Sequence, residues 1–115
     1  MRKKIVAGNW KMNLNSEKAH KLLKNLESIS FPKDVEVIIA PPSIYLDSFS
    51  KAKNLFISSQ DVSPNDNGAY TGEFSAEMLS SLNLKYSIIG HSERRQYHAE
   101  AVSYTHLTLP TSYAV

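Results

Sequence analysis

Cysteine is absent from this 115-residue chain. That excludes a disulfide framework, a thiolate metal site and a thiol nucleophile. An excess of one charge sign is also missing, since 13 Lys and Arg against 11 Asp and Glu leave a formal +2. So small a balance builds no basic face for nucleic acid or an anionic membrane, and neither partner is expected. Long apolar runs are lacking too. Ile5–Gly8 follows a basic start, but Asn9 and Lys11 interrupt it short of the roughly 7–15 apolar residues of a secretion signal. Nothing approaches the roughly 18 apolar residues of a membrane span. A soluble, cytoplasmic protein is the expectation. The last absence is local. Residues 101–115, AVSYTHLTLPTSYAV, hold no Lys, Arg, Asp or Glu, and every such residue falls in 1–100.

What is present is an ordinary globular composition, 42% hydrophobic and 21% charged, in a chain long enough for one domain with its own core. Four short apolar runs stand out: Ile5–Trp10, Val35–Ala40, Leu55–Ser59 and Tyr86–Gly90. Their β-branched, near-continuous character predicts parallel strands covered on both faces. Helical patterns lie between them. Ala19, Leu22, Leu23, Leu26 and Ile29 make one apolar stripe, which Asn15 or Ser16 caps and Pro32 ends. A shorter helix is expected from Ser43, with apolar contacts from Ile44, Leu46 and Phe49, and a third from Ser75, with Ala76, Met78, Leu79 and Leu82 for packing. Asp61–Phe74, rich in Asp, Asn, Pro and Gly, reads as a long surface loop. The order β-α-β-α-β-α-β suits right-handed βαβ crossovers and an α/β fold.

Parallel α/β folds place ligand sites at the carboxyl ends of their strands. After the first run come Asn9, Trp10, Lys11, Met12 and Asn13; after the second, Pro41 and Pro42; after the third, Gln60 and Asp61; after the fourth, His91, Ser92, Glu93, Arg94 and Arg95. Lys11 offers a fixed positive charge for an anionic substrate, and Asn9 a directional donor. His91 opens a helical segment, where backbone N–H groups disfavour a cationic ring and favour a neutral imidazole that donates to a carbonyl. These parts suit polarising a carbonyl so that the neighbouring carbon loses a proton. Each has a plainer reading. A Lys in the position of Lys11 is more often solvated surface, and a lone His such as His91 more often a satisfied structural residue. Glu93 suits the first turn of a helix by its charge alone. Arg94 and Arg95 fit a solvated face, and Gly72 a turn that needs positive φ. The residues alone name no general base.

Three motifs carry a family resemblance. Ala7–Asn13 (AGNWKMN), Gly68–Glu73 (GAYTGE) and Ile88–Arg95 (IIGHSERR) resemble, in order, the first loop, the third loop and the segment around the electrophilic histidine of the triosephosphate isomerase family. The resemblance covers residues 1–100. It implies the first four strand units, three helices and the start of a fourth, of a (β/α)8 TIM barrel of about 250 residues. It implies interconversion of dihydroxyacetone phosphate and D-glyceraldehyde 3-phosphate through an enediolate, in glycolysis and gluconeogenesis, with no cofactor and no metal. Asn9 and Lys11 are then substrate-binding, and Lys11, His91 and Glu93 form the catalytic set. His91 is the neutral electrophile, and Glu93 orients Lys11 or the proton relay. Thr71 belongs to the loop that inserts into a partner subunit, and Glu73 and Arg94 form an intersubunit ion pair in a homodimer.

The resemblance of motifs stops near Glu100. Val102, Thr105, Thr108 and Thr111 are poor helix formers and Pro110 breaks a helix, so the family's charged fourth helix is not expected here. Residues 101–115 are therefore expected to be a separate, non-native tail. The family's catalytic glutamate, mobile phosphate-gripping loop and Gly-Gly loop belong to strands six to eight. Four strands alone are expected to leave strands one and four as open edges and to lack turnover. A non-enzymatic phosphate-binding module and an inert truncation product are the alternatives.

Overall fold

A computed structural model of the chain describes residues 4–90 and 113–114. The elements are β1 (Lys4–Asn9), α1 (Ser16–Glu27), β2 (Val35–Ala40), a 3-10 turn (Ser43–Tyr45) running into α2 (Leu46–Phe49), β3 (Phe56–Ser59), α3 (Ala76–Ser81), β4 (Tyr86–Ile89) and β5 (Tyr113–Ala114). All strands are parallel and lie in sequence order β1-β2-β3-β4-β5. That is the order and direction of consecutive strands in a TIM barrel.

Each element follows from its residues. Asn15 caps α1, its Oδ1 accepting the Lys18 amide at 3.0 Å, and Ala19 and Leu23 of the stripe are buried. Ser75 caps α3 in the same way, accepting from the Met78 amide at 3.2 Å. The helix expected from Ser43 opens as a 3-10 turn after Pro42, and only four residues continue as α-helix. On β1 to β4 the four apolar runs are strands to within a residue at each end.

β-Strand side chains alternate between faces, and here both faces are used. Ile39 and Ile57 join the helix-side core with Ala19, Leu23, Tyr45, Leu46, Phe49, Val62, Ala76 and Leu79. Phe49, fully buried, sits at its centre against the rings of Trp10 (5.7 Å), His20 (5.1 Å) and Tyr45 (6.0 Å). On the opposite face Ile38, Ser58, Tyr86 and Ile88 are buried, and the Tyr86 hydroxyl donates to Glu36 Oε2 at 2.5 Å.

The two ends of the sheet differ. Among the described residues β1 pairs only with β2, and its Ile5 and Val6 stay 59% and 56% exposed. β4 is not the open edge expected from the sequence. Tyr113 and Ala114 pair with Ile88 and Ile89, so residues of the uncharged tail supply a fifth parallel strand.

Candidate active site

The strands are parallel, so their carboxyl ends lie on one side of the sheet: Asn9, the last residue of β1, is opposite Ala40, the last of β2, and Ser59, the last of β3, is opposite Ser87 of β4. Residues 10–15, 41–42, 60–75 and Gly90 therefore leave the sheet along one edge, where the sequence places its polar groups.

Residues 10–15 are held by an unusually complete set of hydrogen bonds. The Trp10 amide donates to the Ala40 carbonyl at 3.0 Å, which ties the start of the loop to β2. The Trp10 carbonyl accepts from Asn13 Nδ2 at 2.8 Å. At the far end the Tyr45 hydroxyl donates to the Leu14 carbonyl at 2.8 Å. Between these anchors lies Lys11, with φ of +56°. A lysine rarely takes that left-handed conformation, and such outliers cluster at functional sites. Its amide donates to Asn9 Oδ1 at 2.9 Å, and its carbonyl accepts from Gln60 Nε2 at 2.8 Å. The Asn9 carboxamide is thereby oriented, with Oδ1 accepting from Lys11 and Nδ2 as its donor end. Asn9 is half-buried and Lys11 exposed, so a ligand reaches both from solvent.

Two of the expected substrate-site residues, Asn9 and Lys11, are thus brought together. His91, Glu93 and Arg94 lie outside the described residues. Gly90, which directly precedes His91, ends β4 in a left-handed conformation with φ of +60°. Gln60 is the residue whose part was missed. It is visible in the sequence only as a polar residue after the third strand, and nothing local shows that it reaches back to Lys11.

Thr71 and Glu73 sit on the excursion between β3 and α3. The Glu73 amide donates to the Tyr70 carbonyl at 3.0 Å, and Gly72 has φ of +89°. That is a type II turn with Thr71 and Gly72 at its two central positions. Thr71 is thereby presented at an exposed tip, and the Phe74 carbonyl accepts the Ser63 amide at 2.9 Å to close the excursion. Among the described residues no cluster of three or more His, Asp or Glu could hold a metal ion, and no helix is long and apolar enough to cross a membrane.

The family model described as triosephosphate isomerase matches residues 4–110. The chain belongs to the triosephosphate isomerase family. The match runs past Glu100, where the resemblance of motifs ends, and covers nearly the whole chain. Among curated proteins, the chain is similar to a triosephosphate isomerase of Xanthomonas axonopodis, at 46% identity over 88% of this chain and 41% of the relative. It is similar to those of Psychromonas ingrahamii and Legionella pneumophila as well, at 42% and 44% identity over 87% of this chain and 42% of each relative. The chain therefore spans about two-fifths of the length of these triosephosphate isomerases.

Proposed function

We propose that these residues form the N-terminal part of an enzyme that interconverts dihydroxyacetone phosphate and D-glyceraldehyde 3-phosphate. The observation that carries this reading is the pairing of Asn9 with Lys11 at the carboxyl edge of a parallel sheet, in a chain of this family. In this reading the Lys11 ammonium attracts the phosphate dianion and Asn9 Nδ2 donates to the substrate. His91, as a neutral imidazole, donates to the carbonyl oxygen and carries protons between the two enediolate oxygens. Stabilising charge as it develops on those oxygens is what makes the neighbouring carbon acidic enough to lose its proton. Glu93 orients this relay. By the family's pattern the glutamate base and the phosphate-gripping loops belong to later strands, so a polypeptide of these 115 residues alone has negligible turnover.

The exposed apolar residues fit the same reading. Ile5 and Val6 on β1 are where further barrel strands pack, since parallel strands are normally buried on both faces. Met12 and Ile44, 94% and 80% exposed beside the site, fit burial against a second copy in a homodimer. Thr71 at its turn tip then enters the partner, and Glu73 pairs with Arg94 across the interface. The cytoplasm is the compartment in which such a glycolytic and gluconeogenic step runs.

Co-expression with the C-terminal part of the Xanthomonas axonopodis triosephosphate isomerase tests the reading. Restored isomerisation, lost on His91→Ala or Lys11→Met, supports it. Binding of a phosphate analogue by the assembled protein with no turnover supports instead a phosphate-binding module.

A further inference from the structure

We propose that Gln60 is a positioning residue for Lys11, holding the backbone conformation that aims the ammonium at an anionic substrate; this rests on the isomerase reading above. Gln60 follows β3, is half-buried, and turns its Nε2 toward two carbonyls. One belongs to Lys11, at 2.8 Å, and the other to Ala40, at 2.9 Å. A primary carboxamide has two N–H groups, so one nitrogen spans both acceptors. The Ala40 carbonyl also accepts the Trp10 amide. A single amide thus ties the carboxyl end of β2 to the middle of the loop that follows β1.

The need for such a tie lies in the Lys11 backbone. At φ of +56° a side chain with a Cβ is strained, and the residue relaxes toward an extended conformation unless its surroundings prevent it. The Lys11 amide is held by Asn9, a neighbour two residues away that follows the same loop wherever it goes. Gln60 is 49 residues away and enters from a different strand, so it fixes the loop relative to the sheet. Relaxation at the Lys11 backbone swings a four-carbon stem, and the displacement is largest at Nζ. Loss of the tie therefore weakens capture of the anion without removing any charged group.

The test uses the isotopically labelled chain, assembled with the C-terminal part of the Xanthomonas axonopodis triosephosphate isomerase that supplies the later loops, and inorganic phosphate as the probe. In the unmodified chain, a scalar coupling across the hydrogen bond links Gln60 Nε2 to the Lys11 carbonyl carbon, and its absence overturns the proposal. Gln60→Met keeps the length and removes both donors. Gln60→Glu keeps the shape and turns acceptors toward two carbonyls. Both are expected to move the Lys11 Cα and Cβ shifts away from left-handed values while the α1 amide signals stay in place. Phosphate binding read at the Lys11 amide is expected to weaken about fivefold, the effect of one net hydrogen bond. Lys11 signals unchanged in both variants overturn the proposal. If Lys11 moves in the variants but phosphate leaves the unmodified chain's Lys11 signals untouched, Gln60 is upheld as the backbone tie and the isomerase reading fails. If Gln60→Met does not fold, Gln60→Glu and the coupling in the unmodified chain decide.

Discussion

Ser59 donates its hydroxyl to Ser87 Oγ at 2.6 Å, between two side chains with no exposed surface. They are register partners on β3 and β4, so the bond crosses directly from strand to strand. Ser87 in turn donates to the Ile88 carbonyl at 3.3 Å, which gives the pair a direction.

That direction predicts unequal effects of removing the two hydroxyls. Ser87→Ala strips the buried Ser59 donor of its acceptor, and should cost about 2 kcal/mol. Ser59→Ala leaves Ser87 still donating to Ile88, and should cost about 1 kcal/mol. The double variant should be no worse than Ser87→Ala, giving a coupling of about 1 kcal/mol in a double-mutant cycle. Urea titrations of the four proteins check this. Equal, additive losses would mean that the two hydroxyls act independently.

Phe49→Ala should be the most damaging single truncation. The ring is fully buried and meets Trp10, His20 and Tyr45, so its removal opens a cavity bounded by α1, α2 and the loop after β1. A loss of about 3–5 kcal/mol is expected. Trp10 is the sole tryptophan of the chain, so its emission reports the site directly. The spectrum should shift to the red in Phe49→Ala, as water reaches the exposed edge of the indole. A Trp10 spectrum unchanged under native conditions would show that the cluster closes over the gap.

The fold was largely readable from the chain because its determinants are local. VEVIIA is a strand by composition, the α1 stripe is periodic, and Asn15 and Ser75 cap as their residue types suggest. The site was readable only in part. Asn9 and Lys11 stand two residues apart and follow a strand, so their proximity follows from the chain itself. The left-handed backbone of Lys11 has no sequence signature, because lysine at positive φ is imposed by its surroundings. The reach of Gln60 depends on how three strand ends are placed relative to one another. β5 escaped for a similar reason: two residues carry no periodicity, and only the neighbouring β4 makes them a strand. The edge expected at β4 was therefore wrong.

Tyr45→Phe separates the anchoring of the loop from the core. The ring packs on Phe49 and is retained, while the hydroxyl that donates to the Leu14 carbonyl is lost. Leu14 is itself left-handed, with φ of +77°, so its conformation depends on that bond. A stability loss of about 1 kcal/mol is expected. Hydrogen exchange should quicken over residues 10–15 and stay unchanged in β2 and β3. Uniform acceleration throughout the sheet would count against a local role.

Two glycines should respond to the same substitution with opposite signs. A methyl carbon added at Gly8 or at Gly72 would meet no heavy atom within 4 Å beyond its chain neighbours, so sterics do not separate them. Gly72 has φ of +89°, and Gly8 lies within β1 without a positive φ. Gly72→Ala forces a Cβ into the left-handed region and should destabilise by about 1 kcal/mol, whereas Gly72→Asn should cost less because asparagine tolerates that region. Gly8→Ala restricts the unfolded chain without straining the folded one, and should stabilise by about 0.4–1 kcal/mol. Thermal unfolding of the three variants checks the ordering, with the melting temperature rising for Gly8→Ala and falling furthest for Gly72→Ala. A rise for Gly72→Ala would show that the turn presenting Thr71 is not held in the left-handed form, and the tip geometry argued for the partner contact would fail with it.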